Sequence, residues 1–229
     1  MFGSSYTGAS VYRSAQQINS AMGRVYGHMA LAVITSMIVS FLVGNSATLM
    51  TFFFTGAMKW VVIFAPLVAI LAVSFNMENM SKGTLQIFLH GFAALMGLSF
   101  ATIFVVYNLG SIVSAFMSAA VLFAVMSGYG YFTKKNLDSM GQFMFIGLIA
   151  IVIASIINIF IGSTVMQMVI SAIAVIVFLG LTAYDTQKIR EQIMYGNFDD
   201  SAEISGALTL YLDFINLFLS LLNLFGDRK

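Results

Sequence analysis

Residues 208–225 read LTLYLDFINLFLSLLNLF. Leucine and phenylalanine dominate, and the length suits a helix that crosses a bilayer. Yet Asp213 sits in the first third of the stretch, and a carboxylate in hydrocarbon is expensive. The neighbouring small and polar positions explain how it is tolerated. Gly206, Thr209, Asp213, Asn216, Ser220 and Asn223 follow one another at steps of 3, 4, 3, 4 and 3. All six therefore share one face of an α-helix. A lipid-facing helix has no use for such a stripe, whereas a helix inside a bundle or beside a wet cavity does. Upstream, Asp200 followed three residues later by Glu203 has the pattern of a helix start, so the helix is expected to begin near Ser201.

The rest of the chain has the same solvent. Of 229 residues, 60% are hydrophobic and 8% charged, against roughly a quarter charged in a soluble domain. The chain cannot cover itself with charge, so a lipid bilayer is its expected partner. Net charge is +1 with no basic run, which gives no footing for nucleic acid. The absence of cysteine excludes disulfides, thiolate metal sites and thiol nucleophiles.

Seven stretches are long and apolar enough to span: about 25–44, 56–75, 84–107, 110–132, 140–162, 164–186 and 204–225. The breaks at 108–111 (NLGS) and 162–164 (GST) are weak, but each joined pair would be twice a spanning length, so a hairpin is expected at both. Pro66, the only proline, is expected to kink the second span. The organisation read from this is a polar N-terminal tail (1–24), helical in part near 14–24, followed by one transmembrane domain (25–229). With the tail inside, inner segments hold Arg13, Arg24, Lys82, Lys134, Lys135, Lys188 and Arg190, and outer segments hold Lys59, Arg228 and Lys229. That asymmetry places the N-terminus in the cytoplasm. The basic end, GDRK, conflicts with an outer C-terminus unless the last segment turns back.

A second carboxylate, Asp185, lies in GLTAYDTQKIR near the inner end of the sixth span. Taken alone it reads equally well as a solvated end residue helped by Lys188 and Arg190. Tilt and side-chain reach allow it to meet Asp213. Two carboxylates a few Å apart in low dielectric cannot both ionise cheaply, and they titrate as a unit. When both are charged, the pair is a place for a divalent cation. With water, Thr209 and Asn216 it could supply a weak, transient site for calcium.

AYDTQKIR (183–190) and LYLDFINLFLSLL (210–222) together resemble the transmembrane Bax inhibitor motif family, bacterial branch. The resemblance extends over the chain through the short polar tail, Pro66 and the small-residue third span HGFAALMGLSFATIF (90–104). It implies an all-α membrane protein of seven transmembrane helices, six surrounding a central C-terminal one. It also implies a pH-sensitive calcium leak channel, gated by Asp185 and Asp213 sharing a proton, in the bacterial inner (plasma) membrane. Calcium ions and protons would be its partners, with no cofactor and no enzymatic reaction. The chain departs from some members in two places. SFNMENMSKG (74–83) carries Glu78 and Lys82 where those members have a basic gate residue, and Asn223 stands where they have a basic residue near the end of the last helix.

Other readings use the same aspartates. A proton-coupled carrier would bind protons there, with His28 or His90 assisting, and a non-transporting interaction protein would hold partners in the membrane. An intramembrane aspartyl protease would need a G-x-G-D pattern at its second aspartate, where this chain has LYLD. A retinal protein would need a lysine within 204–225, and none is there. Glu78, Asp138, Asp199 and Asp200 read as solvated loop charges. Gly91, Ala94, Gly97 and Ala101 read as a close-packing stripe, and Gly128 and Gly130 as the end of the fourth span.

Overall fold

A computed structural model of the protein describes residues 13–74, 80–195 and 200–229. Its regular structure is helical: α1 (Ala15–Gly44), α2 (Ala47–Phe54), α3 (Met58–Ser74), α4 (Lys82–Phe100), α5 (Ile103–Val106), α6 (Leu109–Phe132), α7 (Asp138–Ile161), α8 (Thr164–Met194) and α9 (Asp200–Phe225). Six segments are long and apolar enough to cross a membrane: α1, α4 with α5, α6, α7, α8 and α9. The expected second span is α3. At 17 residues it stands at the lower limit for spanning, and α2 leads into it at 76°. The sharp bend falls before Pro66, at Gly56, whose φ of +59° suits glycine. The helix itself continues through Pro66.

Local signals set the ends. Ser14 caps α1 through a capping box with Gln17, so α1 takes in the second half of the polar tail. Ile18, Ala21 and Met22 are already buried there. Both weak breaks are helix ends. Gly162 terminates α7 in the left-handed conformation (φ +68°), and Ser163 caps α8. Tyr107 and Asn108 separate α5 from α6. The third span has a further break at Ala101–Thr102.

α9 is the most enclosed helix. Of its most apolar 18-residue window 61% is buried, against 39% for α8 and 6% for α7. Its extensive contacts are with α8, α1, α6 and α4, while α3 leans on α4 and α2, and α7 on α8. Of the six helices expected to surround α9, four are thus in extensive contact with it. Glycines decide the closest approaches. A Cβ on Gly130 would lie 2.1 Å from the Ala183 carbonyl oxygen, and one on Gly97 would lie 2.5 Å from that of Ser36. Gly130, two residues before the end of α6, is thus also a close contact between α6 and α8. In the expected stripe Gly97 and Ala101 are buried, whereas Gly91 is open.

The links sort into two ends. At one, Ser201 Oγ donates to the Met80 carbonyl (3.1 Å) and Gln187 Nε2 donates to the Lys135 carbonyl (2.9 Å). At the other, the chain after α9 is clamped to the α5–α6 junction: Asn108 N donates to the Asp227 carbonyl (3.1 Å) and Lys229 N to that of Val106 (2.9 Å). α9 is therefore one continuous helix, about 39 Å long at 1.5 Å per residue, and its last segment does not turn back.

Candidate functional site: a carboxyl pair in an apolar cavity

The site lies where α8 and α9 face each other. Asp185 is half-buried and Asp213 is 5% exposed. The two side chains line one cavity and lie close enough to interact. A contact between two carboxyl oxygens is a hydrogen bond only when one of them carries a proton. The buried Oδ2 of Asp213 has no hydrogen-bond partner. Backbone packing fixes the geometry. Ala183, two residues before Asp185, lies against Gly130, and Thr186 is tied through Ser127 Oγ (2.9 Å) to α6. On α9, Tyr211 is fully buried and its hydroxyl meets Ser36 Oγ at 2.7 Å. Ser36 in turn donates to the Ala93 carbonyl (2.7 Å), so α9 is registered against α1 and α4.

The cations beside Asp185 in sequence are engaged elsewhere. Lys188 binds Asp138 at 2.5 Å and Glu191 at 3.3 Å, and Arg190 lies over the Tyr131 ring at 5.3 Å. Asp138 is thus an ion-pair partner rather than a free loop charge. Glu78 and Asp199 lie outside the described residues.

Asp185 and Asp213 both line a cavity of about 700 Å³, bounded by α7, α8 and α9. Thr209 and Asn216 line it too, and the rest of its wall is largely apolar and aromatic, with Phe145, Phe178 and Tyr184 among it. Thr209 Oγ1 and Asn216 Nδ2 donate to carbonyls one turn back (3.2 and 2.8 Å), which leaves their remaining lone pairs for the cavity. The outer half of the stripe goes elsewhere. Ser220 is buried and bonds the Asn216 carbonyl (2.7 Å), and Asn223 Oδ1 accepts from the Tyr107 hydroxyl (2.8 Å). The stripe therefore splits between a cavity and an internal clasp.

Glu203, read from the sequence only as part of the helix-start pattern, is a buried ion-pair partner: it is 1% exposed, with Arg24 Nε 2.7 Å from Oε2. His28 Nε2 approaches Oε1 at 3.2 Å, but off the hydrogen-bonding direction, so that oxygen has no hydrogen bond. Two sequence signals pointed to it. Glu203 extends the α9 stripe by one further step of three, and Arg24 and His28 stand four apart on α1. His90 contacts Thr35 Oγ1 at 3.3 Å. Neither histidine lines the cavity of the aspartate pair.

The family model described as inhibitor of apoptosis-promoting Bax1 matches residues 18–229. The chain belongs to the Bax inhibitor-like family. Among family relatives, the inner membrane protein YbhL of Escherichia coli (strain K12) is 39% identical over 226 residues, covering 96% of this chain and 97% of that one. An uncharacterized protein of Deinococcus radiodurans is 34% identical, covering 94% of each chain. A membrane protein of Streptococcus pyogenes is 42% identical over 162 residues, 70% of each. The apolar spans and these relatives make the chain a multi-pass bacterial membrane protein of the Bax inhibitor-like family.

Proposed function

We propose that the protein is a pH-sensitive calcium leak channel of the bacterial inner membrane, gated by Asp185 and Asp213 sharing a proton. One observation carries the reading. Two carboxyl groups 28 residues apart in sequence (185 and 213) face each other in an otherwise largely apolar cavity. In the closed state the shared proton ties α8 to α9 by a hydrogen bond of charged character, worth about 1.5–3 kcal/mol. When the proton leaves, that bond becomes like-charge repulsion, and α8 and α9 separate. The closed state holds one proton more than the open state, so the open fraction grows as pH rises. Each 1.4 kcal/mol of that difference is about tenfold in the equilibrium.

Calcium is the transported ion in this reading. It prefers six to eight hard oxygens. Two carboxylates with Thr209, Asn216 and water hold it weakly enough to release it. The architecture that suits this gate is a seven-span bundle, with α3 as the second span and α9 in the middle. The N-terminus is placed in the cytoplasm, where the positive-inside rule puts the end that carries Arg24, Lys134, Lys135, Lys188 and Arg190.

A proton-coupled carrier would use the same pair, and a scaffold would use neither carboxylate for transport. Flux in liposomes separates the three. A leak discharges a calcium gradient alone, a carrier needs a proton counter-gradient, and a scaffold moves no ions. Calcium discharge that requires an imposed proton gradient contradicts the proposal.

A further inference from the structure

The cavity of the aspartate pair has features that a calcium path does not need. Gln142, Phe145 and Ile146 line it, yet Phe145 is 58% and Ile146 64% exposed. They belong to α7, whose extensive packing is with α8 alone. α7 therefore forms one wall of the cavity without closing the gap to α9. In a bilayer, that gap faces acyl chains. At about 700 Å³ the cavity is the size that takes a drug-sized molecule. Phe145, Phe178 and Tyr184 supply aromatic faces. Beside them Asp213, 5% exposed, presents a carboxylate oxygen with no hydrogen-bond partner.

We infer that this cavity binds a hydrophobic amine taken up sideways from the membrane, its cationic head at Asp185 and Asp213 and its apolar body between α7 and α9. Charge complementarity selects the occupant. With one proton shared, the pair carries one negative charge, which a single ammonium neutralises. Aromatic faces attract that ammonium further. An anion would meet the same carboxylates as repulsion. A neutral apolar molecule would leave the orphan oxygen buried and unpaired. Lys188, 5.7 Å from the Tyr184 ring centroid, is the nearest competing cation, and Asp138 and Glu191 already hold it. The inference requires the carboxyl pair but not calcium transport.

The test uses the full chain in nanodiscs and a dansyl-tagged trimethylammonium probe, compared with its neutral isostere in which a tert-butyl group replaces the cationic head. Dansyl emission reports entry into an apolar cavity. The wild type is expected to bind the cation at least tenfold tighter than the isostere. Lipids brominated at mid-chain are expected to quench the bound cation, as the cavity is reached from the acyl region. Asp185→Asn with Asp213→Asn is expected to erase the preference, and Asp227→Asn, at the other end of the bundle, is expected to keep it. Equal binding of the two probes by the wild type overturns the inference, whether or not the double variant folds. So does a preference that survives in a folded double-asparagine variant. The assay contains no calcium gradient, so its failure is distinct from failure of the leak.

Discussion

α9 carries two buried carboxylates ten residues apart, about 15 Å along the axis, and the protein treats them differently. Glu203, at the end where α9 begins, is answered by the guanidinium of Arg24 on α1. Asp213, mid-helix, is answered by another carboxyl, Asp185 on α8. Both are nearly sealed from solvent, and each leaves one oxygen without a hydrogen bond. An opposite charge offsets burial over a wide pH range and acts as a pin. A like charge offsets it only while a proton is shared, so the contact changes sign with protonation. In the proposed gate, the chemistry of the facing residue, and not position along the helix, decides which carboxylate is structural and which titrates.

Substitutions that reach one carboxylate and spare the other can break this contrast. The largest effect is expected from Gly130→Ala. Its methyl would press on the Ala183 carbonyl and push α8 away from α6, at about 3 kcal/mol. Thermal denaturation should show the loss. Infrared carboxyl bands that respond to Asp185→Asn in the wild type should no longer do so if α8 has moved. Unchanged stability would mean that α6 and α8 are not in close contact there.

Arg24→Ala comes next. It removes the guanidinium from Glu203 and leaves only His28, 3.2 Å from Oε1. Because Arg24 is half exposed, water recovers part of the loss, and about 2 kcal/mol is expected. Adding Glu203→Gln should return most of it, since a buried amide needs no counter-charge. That double-mutant cycle measures the pin. The pH dependence of flux should stay as in the wild type. If it flattened, Glu203 and Asp213 would have exchanged roles. Tyr211→Phe is the smallest change, at about 1 kcal/mol. It removes one bond from Ser36, which keeps the Ala93 carbonyl. Stability should fall slightly without altering the pH response.

Much of the α9 side of this contrast was legible in the sequence. The steps of three and four fixed the face of Asp213, and the AYD and LYLD motifs marked the two aspartates. The break at 162 was legible because Gly162 and the capping Ser163 write helix ends locally, and that at 108 because one helix across it would be twice a spanning length. The bend at Gly56, the break at Ala101 and the uneven packing on α9 were not, because they depend on which helices touch. The burial of Glu203 was not legible for a related reason. Asp200 and Glu203 satisfy a local capping pattern, and only the partner 179 residues away turns that carboxylate into a buried pin. The divergence of Asn223 from the cavity depends likewise on Tyr107, on a segment remote in sequence.

The most direct test is the slope of calcium release against pH from proteoliposomes, wild type beside Asp185→Asn with Asp213→Asn. The wild type should release calcium faster as pH rises through the range in which the pair loses its shared proton, by about tenfold or more from the energies above. The double variant should give a flat profile, whatever its absolute rate. A double variant that keeps the wild-type slope would contradict the account and place the proton sensor outside Asp185 and Asp213.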